Sequence, residues 1–368
     1  MGRALDKLTI KGFKSIKSLE NFELKRLNIM IGGNGAGKSN FVEIFRMLRA
    51  MVDEAFANFI MSRGGCDDFL FNGPKQTKQI EARFVFGSNS YSCILKPTAS
   101  DKFLIKLEEE CYSDNCWCTG TDNYESQIKK LKDEKSARYP GYPGVGHYIY
   151  EAMSSWMVYH FHDTSSEAAM RRSEITADYE SLRTDAANIA PFLLKLRNDE
   201  PDSYNEIVES VRLVTPFFDD FLLKPVRKGD KEDVNLSWRQ KGSDYPMQPY
   251  HFSDGTIRFI CLATALLRPD HPSTIVIDEP ELGLHPYAIE ILAELIKAAS
   301  KYTQVIVSTQ SPHLIDSFDA EDIIVVNRKE GASTFKRLET EELSEWLKEY
   351  SLGELWRKDI VTGGPVHE

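Results

Sequence analysis

The chain has 368 residues, 42% of them hydrophobic, and a formal net charge of −11 at pH 7. That length supplies a real core for one large α/β domain or two to three smaller ones, and that charge excludes a protein that coats nucleic acid with its whole surface. No run approaches the length of a membrane span, the most apolar being FICLATALL, and no apolar segment follows MGRALDKL, so a cytoplasmic protein without membrane contact is expected.

The first 26 residues carry Arg3, Lys7, Lys11, Lys14, Lys17, Lys25 and Arg26 against Asp6, Glu20 and Glu23. Such a cluster is either a local nucleic-acid patch or, more blandly, the solvated edge of a sheet. KLTIKGF reads as a strand, and LNIMI as a second, buried one that feeds a glycine-rich loop. That loop, Gly32, Gly33, Asn34, Gly35, Ala36, Gly37, Lys38, Ser39 and Asn40, matches G-x-x-x-x-G-K-[ST]. Phe41, Ile44, Phe45, Leu48, Met51 and Val52 then recur at helical spacing, so strand, loop and helix come in the order a nucleotide site requires. Consecutive backbone N–H groups must turn inward around phosphate oxygens, along a path that side chains would obstruct. Lys38 would neutralise the β and γ phosphates, the Ser39 hydroxyl would bind Mg2+, and the helix N-terminus would add its partial positive charge. The loop alone does not separate kinases, GTPases, helicases and transporters.

QIEARFVFGSNSYSCILK alternates on both sides of GSNS, as an antiparallel hairpin does. From about residue 98 to 150 the text turns polar, with KKLKDEK and YPGYPGVG, which predicts an insertion or flexible excursion without a coiled coil. Cys111, Cys116 and Cys118 lie within it, but C-x4-C-x-C is not a usual zinc spacing and no second pair follows, so reduced, structural or incidental cysteines are expected. WMVYHF is a strand candidate, HDTS a turn, and the text from about 166 to 221 reads as a helical subdomain. DVNLSW is a strand. HFSDGTIRFICLATALLRP opens on a Ser-Asp cap and continues as a buried helix to Pro269. STIVIDEPELGLHP and TQVIVSTQSPHL hold two continuous apolar strands, joined by a helix beginning at Pro286, a βαβ unit of a parallel sheet. DIIVVN adds a strand, and LSEWLKEYSLGELW one or two helices.

Asp278 and Glu279 close the first apolar strand, where open α/β sheets put their ligand groups. Asp278 would hold Mg2+, directly or through water, and Glu279 would take a proton from the attacking water; a helix-capping acidic turn is the plainer alternative.

GGNGAGKSN, FSDGT, DEPELGLHP and STQSPHL, in that order, resemble the ABC-type ATPase heads of the SMC/RecF and OLD-like group. IKGFKSI is similar to that group's first strand, and YHFHDTS resembles a stand-alone bacterial branch of it; the middle of the chain is weakly covered. The resemblance implies an α/β P-loop ABC-type head with a mixed or parallel sheet, an antiparallel β-subdomain and a helical insertion. Residues 1–100 and 230–368 would form the discontinuous head, 101–155 a variable insertion, and 156–229 the helical subdomain. It implies that Ser253, Asp254 and Gly255 fill the signature position, with Ser253 and Gly255 contacting the γ phosphate of ATP held by another subunit. A serine and a glycine at a helix N-terminus do form an anion site, although a plain helix cap is the alternative for Ser253. Two copies would then face each other across two ATPs. Leu282 to His285 would cross the same interface, with His285 as a contact or else satisfied within a turn, and His162 and Asp163 would sit near the Q-loop position. One departure stands out: Gln310 follows VIVST where many such heads have a histidine, with His313 three residues later. An amide hydrogen-bonds but cannot carry charge.

What the resemblance implies is an ATP-hydrolysing dimeric switch, with ATP and Mg2+ as cofactors, working in DNA maintenance or anti-phage defence. DNA is a candidate partner. No nuclease carboxylate cluster follows Glu279, so any effector is expected to be a separate protein. The alternative is a DNA-binding or scaffolding protein that uses ATP for assembly, against which Glu279 counts. SDGT in place of an LSGGQ-like signature disfavours a transporter subunit.

Overall fold

The computed structural model describes residues 3–113, 115–136 and 139–361. Lys7–Phe13 (β1) and Ile16–Glu23 (β2) form an antiparallel pair, and Leu27–Ile31 (β3) leads through the glycine loop into Lys38–Val52 (α1). The six apolar residues expected on one face of α1 are all buried. Ile80–Phe86 (β4), Asn89–Pro97 (β5), Phe103–Tyr112 (β6) and Asn115–Gly120 (β7) extend an antiparallel sheet of order β2-β1-β4-β5-β6-β7.

The first part of the stretch expected as an insertion or flexible excursion is therefore regular sheet, since β6 pairs along the whole of β5 and β7 pairs with β6. Its text reads as polar because Glu108 and Glu110 occupy buried positions. Glu108 is satisfied there by the Tyr91 hydroxyl (2.6 Å), the Ser126 hydroxyl and the Gln127 N–H (2.9 Å). The cysteine expectation is corrected as well. Cys111 and Cys116 face each other across the β6–β7 hairpin and form a disulfide, a pairing that a separation of five residues around a tight turn makes available. Cys66, Cys93, Cys118 and Cys261 are free.

Val145–Ser154 (α2) packs on α1, and Met157–Tyr159 (β8) follows. The long helical text contracts to Ile189–Asp199 (α3) and Pro201–Val214 (α4), because residues 176–188 run as turns. DVNLSW is split between two small antiparallel sheets, one containing Lys231–Val234 and the other Trp238–Gln240. Asp254–Leu266 (α5), Thr274–Asp278 (β9), Pro286–Ser300 (α6), Gln304–Thr309 (β10), Ile323–Lys329 (β11) and Ala332–Arg337 (β12) complete the frame.

The central sheet runs β12-β11-β3-β10-β9-β8, parallel throughout except for the β11–β12 hairpin. Its central strands β3, β9 and β10 are buried along their whole length, as their unbroken apolar text demands. Ile29, Ile277, Val307 and Val325 point into one core, with α5 and α6; Met30, Val276, Ile306 and Ile324 point into the other, with α1 and the antiparallel sheet. Two-residue periodicity thus lets one sheet separate two cores. Parallel direction also has a functional result: residues following β3, β8, β9 and β10 all emerge at one edge.

Candidate nucleotide site

At that edge the loop from Gly32 to Gly37 turns from β3 into α1. Gly32 and Gly37 leave no room for side chains: a Cβ on the first would run into the Val326 carbonyl, and on the second into the Ser333 hydroxyl. Gly35 and Gly37 also have φ of 76° and 114°, values that glycine adopts without cost. Ser333 donates to the Ala36 carbonyl (2.6 Å) and meets the Ser15 hydroxyl (2.6 Å), which accepts from Asn40 (2.7 Å). The back of the loop is thereby pinned, while Asn34, Gly35 and Ser39 face solvent. Lys38 is buried, with Nζ donating to the carbonyls of Gly32 (2.6 Å) and Gly33 (3.2 Å). Burial lowers its pKa, against the charges of Glu279, Asp278 and Glu281, which hold it up.

Asp278 ends β9 only 6% exposed, and its Oδ1 has no hydrogen-bond partner among the described residues. A buried anionic oxygen without a donor, in the field of Lys38 and on the same edge as the exposed Ser39 hydroxyl, is chemistry that fits Mg2+. Glu279 adopts φ of 45°, an uncommon conformation for a side-chain-bearing residue, and its N–H donates to the Ser308 carbonyl (2.7 Å). Its Oε1 accepts a short hydrogen bond from the Gln310 side-chain amide. The acid that sequence reasoning missed is Glu281. It is buried, which raises its pKa, and accepts from the Thr309 hydroxyl (2.6 Å) and the Gln310 N–H (3.0 Å). The visible signal was a second glutamate two places after Glu279, spaced as in DEPE.

His162 joins this group and Asp163 does not. His162 Nε2 lies 2.9 Å from the Asp278 carbonyl, and its ring stands 4.1 Å from that of His160. Ligand atoms of His160, His162 and Asp278 lie within 4.8 Å of one another. Asp163 instead accepts from the N–H (3.1 Å) and hydroxyl (2.7 Å) of Ser165. His313 is half-exposed and 3.5 Å from Glu290, away from Glu279.

Ser253 caps α5, accepting from the Thr256 N–H at 3.1 Å. Asp254 is held by Arg171 (2.9 Å), which also donates to the carbonyls of Thr164, Pro249 and Phe252. Gly255 abuts the loop after β9, where a Cβ would collide with the Gly283 carbonyl. One turn on, Arg258 donates to the carbonyls of Phe161 (2.9 Å), His162 (3.1 Å) and Leu282. Arg258 thus locks the start of α5, the His162 segment and the Leu282–His285 loop into one body. His285 itself caps α6, accepting from the Tyr287 N–H at 3.3 Å. The basic N-terminal residues are largely paired: Lys7 with Glu23 (2.7 Å), Lys11 with Glu20 (3.0 Å), Arg3 with Asp6 (3.4 Å) and Lys25 with Glu321 (2.9 Å).

Two family models match the chain, "AAA ATPase domain" over residues 4–184 and "AAA domain, putative AbiEii toxin, Type IV TA system" over residues 145–316. The Septu protein PtuA of Bacillus thuringiensis is 21% identical over 352 residues, covering 90% of this chain and 78% of that one. Among solved structures, the SMC head bound to the C-winged helix domain of ScpA aligns with a TM-score of 0.57 at 16% identity, over 93% of this chain and 99% of that one. The Smc head with an extended coiled coil, bound to the C-terminal domain of ScpA from Pyrococcus furiosus, gives 0.55 at 16% identity, over 94% and 99%. No helix of the described residues is long and apolar enough to cross a membrane.

Proposed function

We propose that this chain, an SMC-like ABC-type ATPase head, hydrolyses ATP in two composite sites formed when two copies face each other head to tail. The observation that carries the reading is the Gln310 amide seated on Glu279, next in sequence to an Asp278 whose Oδ1 has no donor among the described residues. Backbone N–H groups of residues 33–39 would surround the β and γ phosphates, and the Lys38 ammonium would exchange the Gly32 and Gly33 carbonyls for phosphate oxygens. Ser39 and Asp278 would hold Mg2+, which would supply neutralisation of phosphate charge when bound. Gln310 orients the Glu279 carboxylate, whose other oxygen accepts the proton of the attacking water. Ser253 and the Gly255 N–H of the second copy would complete the γ-phosphate site, so that loss of that phosphate releases the heads.

The likeness to a Septu protein supports the anti-phage task over DNA maintenance, with the effector on a separate protein. The pairing of Lys7, Lys11 and Lys25 with Glu23, Glu20 and Glu321 weighs against a local nucleic-acid patch there. The test is Glu279→Gln, which should bind ATP, fail to hydrolyse it and accumulate as a dimer in light scattering with ATP present. A monomer that ignores ATP and still hydrolyses it at the normal rate would end the two-copy model.

A further inference from the structure

Away from the nucleotide site, a cavity of about 910 Å³ opens between the disulfide-closed β6–β7 hairpin and the segment that leads into α2. Tyr112, Trp117, Tyr139, Tyr142 and Tyr148 line it, each exposed by 49% or more. Scattered surface aromatics need no explanation, but five around one hollow form an apolar surface that folding did not bury. Glu110 and Glu134 also line this cavity.

Glu110 is only 6% exposed, and its Oε2 has no hydrogen-bond partner among the described residues. The two carboxylates crowd the same glycine, Gly146, whose added Cβ would strike an oxygen of each. Gly146 donates its N–H to Glu134 at 2.6 Å, which leaves Glu110 the poorer in donors. Burial and the neighbouring Glu134 push the Glu110 carboxyl up to about 7. Among the described residues that line the cavity there is no lysine, arginine or histidine to compensate the pair. A buried carboxylate left so is costly; a proton taken up at the raised pKa offsets that cost by neutralising the group, whereas a cation with donors of its own would offset it with both groups charged. Two adjacent carboxylates suit a forked donor, and aromatic walls suit a flat, weakly hydrated cation that stacks, which favours guanidinium over ammonium.

We propose that this cavity binds a guanidinium group, stacked on the aromatic walls and hydrogen-bonded to Glu110 and Glu134. The site is independent of the nucleotide reading and stands or falls without it. The test is calorimetric titration of the full chain with agmatine, with the peptide Gly-Arg-Gly, and with n-butylurea as a neutral mimic. Agmatine should bind with a Kd of about 1 mM or tighter. Glu110→Gln and Trp117→Ala should each weaken it about tenfold or more, with ATP hydrolysis unchanged. Trp117 is half-exposed, so its truncation leaves the fold intact and keeps a readout should Glu110→Gln fail to fold. A peptide that binds about tenfold tighter than agmatine identifies an arginine of a partner chain as the natural source; equal or weaker peptide binding identifies a free small molecule. Either supports the site. Urea binding as tight as agmatine, undiminished agmatine binding by Glu110→Gln, or no binding of either guanidinium at about 10 mM overturns it.

Discussion

The Gln310 side chain donates to Glu279, and an amide keeps one charge state across neutral pH, so it can orient the proposed base but not share its proton. Gln310→Ala should therefore lower kcat by about 10- to 1000-fold and leave ATP affinity nearly unchanged, as steady-state hydrolysis and a separate binding titration would show. His313→Ala should do little, because His313 meets Glu290 rather than Glu279. The opposite pattern would transfer the role to His313. Glu281 was visible beforehand only as the second glutamate of DEPE; its place in the site was not, because its partners, Thr309 and Gln310, lie on a different strand end, and only the folded sheet brings them to it. Glu110 allows a second test at this scale. Its carboxyl titrates at about 7 in the fold against 4.5 ordinarily, so the unfolded chain ionises it first as pH rises. Its stabilisation is complete below the ordinary value and is lost as pH climbs through about 7. Tm should accordingly fall between about pH 4.5 and 7 and level off above that, with buried Glu281 acting in the same direction, and Glu110→Gln should flatten that slope.

Helix α5 separates two explanations for one serine. Ser253 caps it, and aspartate caps a helix as well as serine does, yet aspartate would set a negative charge against a γ phosphate. Ser253→Asp should hold Tm within a few degrees and abolish ATP-dependent dimerisation, read by melting and light scattering; an undisturbed dimer would leave Ser253 as a cap alone. Other elements differed in how openly the chain declares them. Strands β9 and β10 were plain because burial on both faces gives unbroken apolar text. Strand β6 was hidden because Glu108 sits at a buried position on hydrogen bonds from Tyr91, Ser126 and Gln127, partners that no periodicity reveals. The helical text after residue 166 was overread, since helix-favouring composition yields where tertiary contacts dictate turns.

Across the whole molecule, the motifs sit at the two ends of the chain because both ends build one sheet. Strand β3 lies between β10 and β11, and the Leu5 N–H reaches the Gln304 side chain, 299 residues further on. Gln304 returns its amide to the Leu5 carbonyl at 2.8 Å, so the start of the chain is fastened by residues made near its finish. On a ribosome adding roughly 5–20 residues per second, β3 and its phosphate loop emerge on the order of tens of seconds before either neighbour exists. Through that interval β3 is an apolar strand with both edges open, the kind of segment that chaperones shield. A messenger broken before codon 304 therefore yields a polypeptide with a complete glycine loop and neither of the strands that flank β3 in the fold.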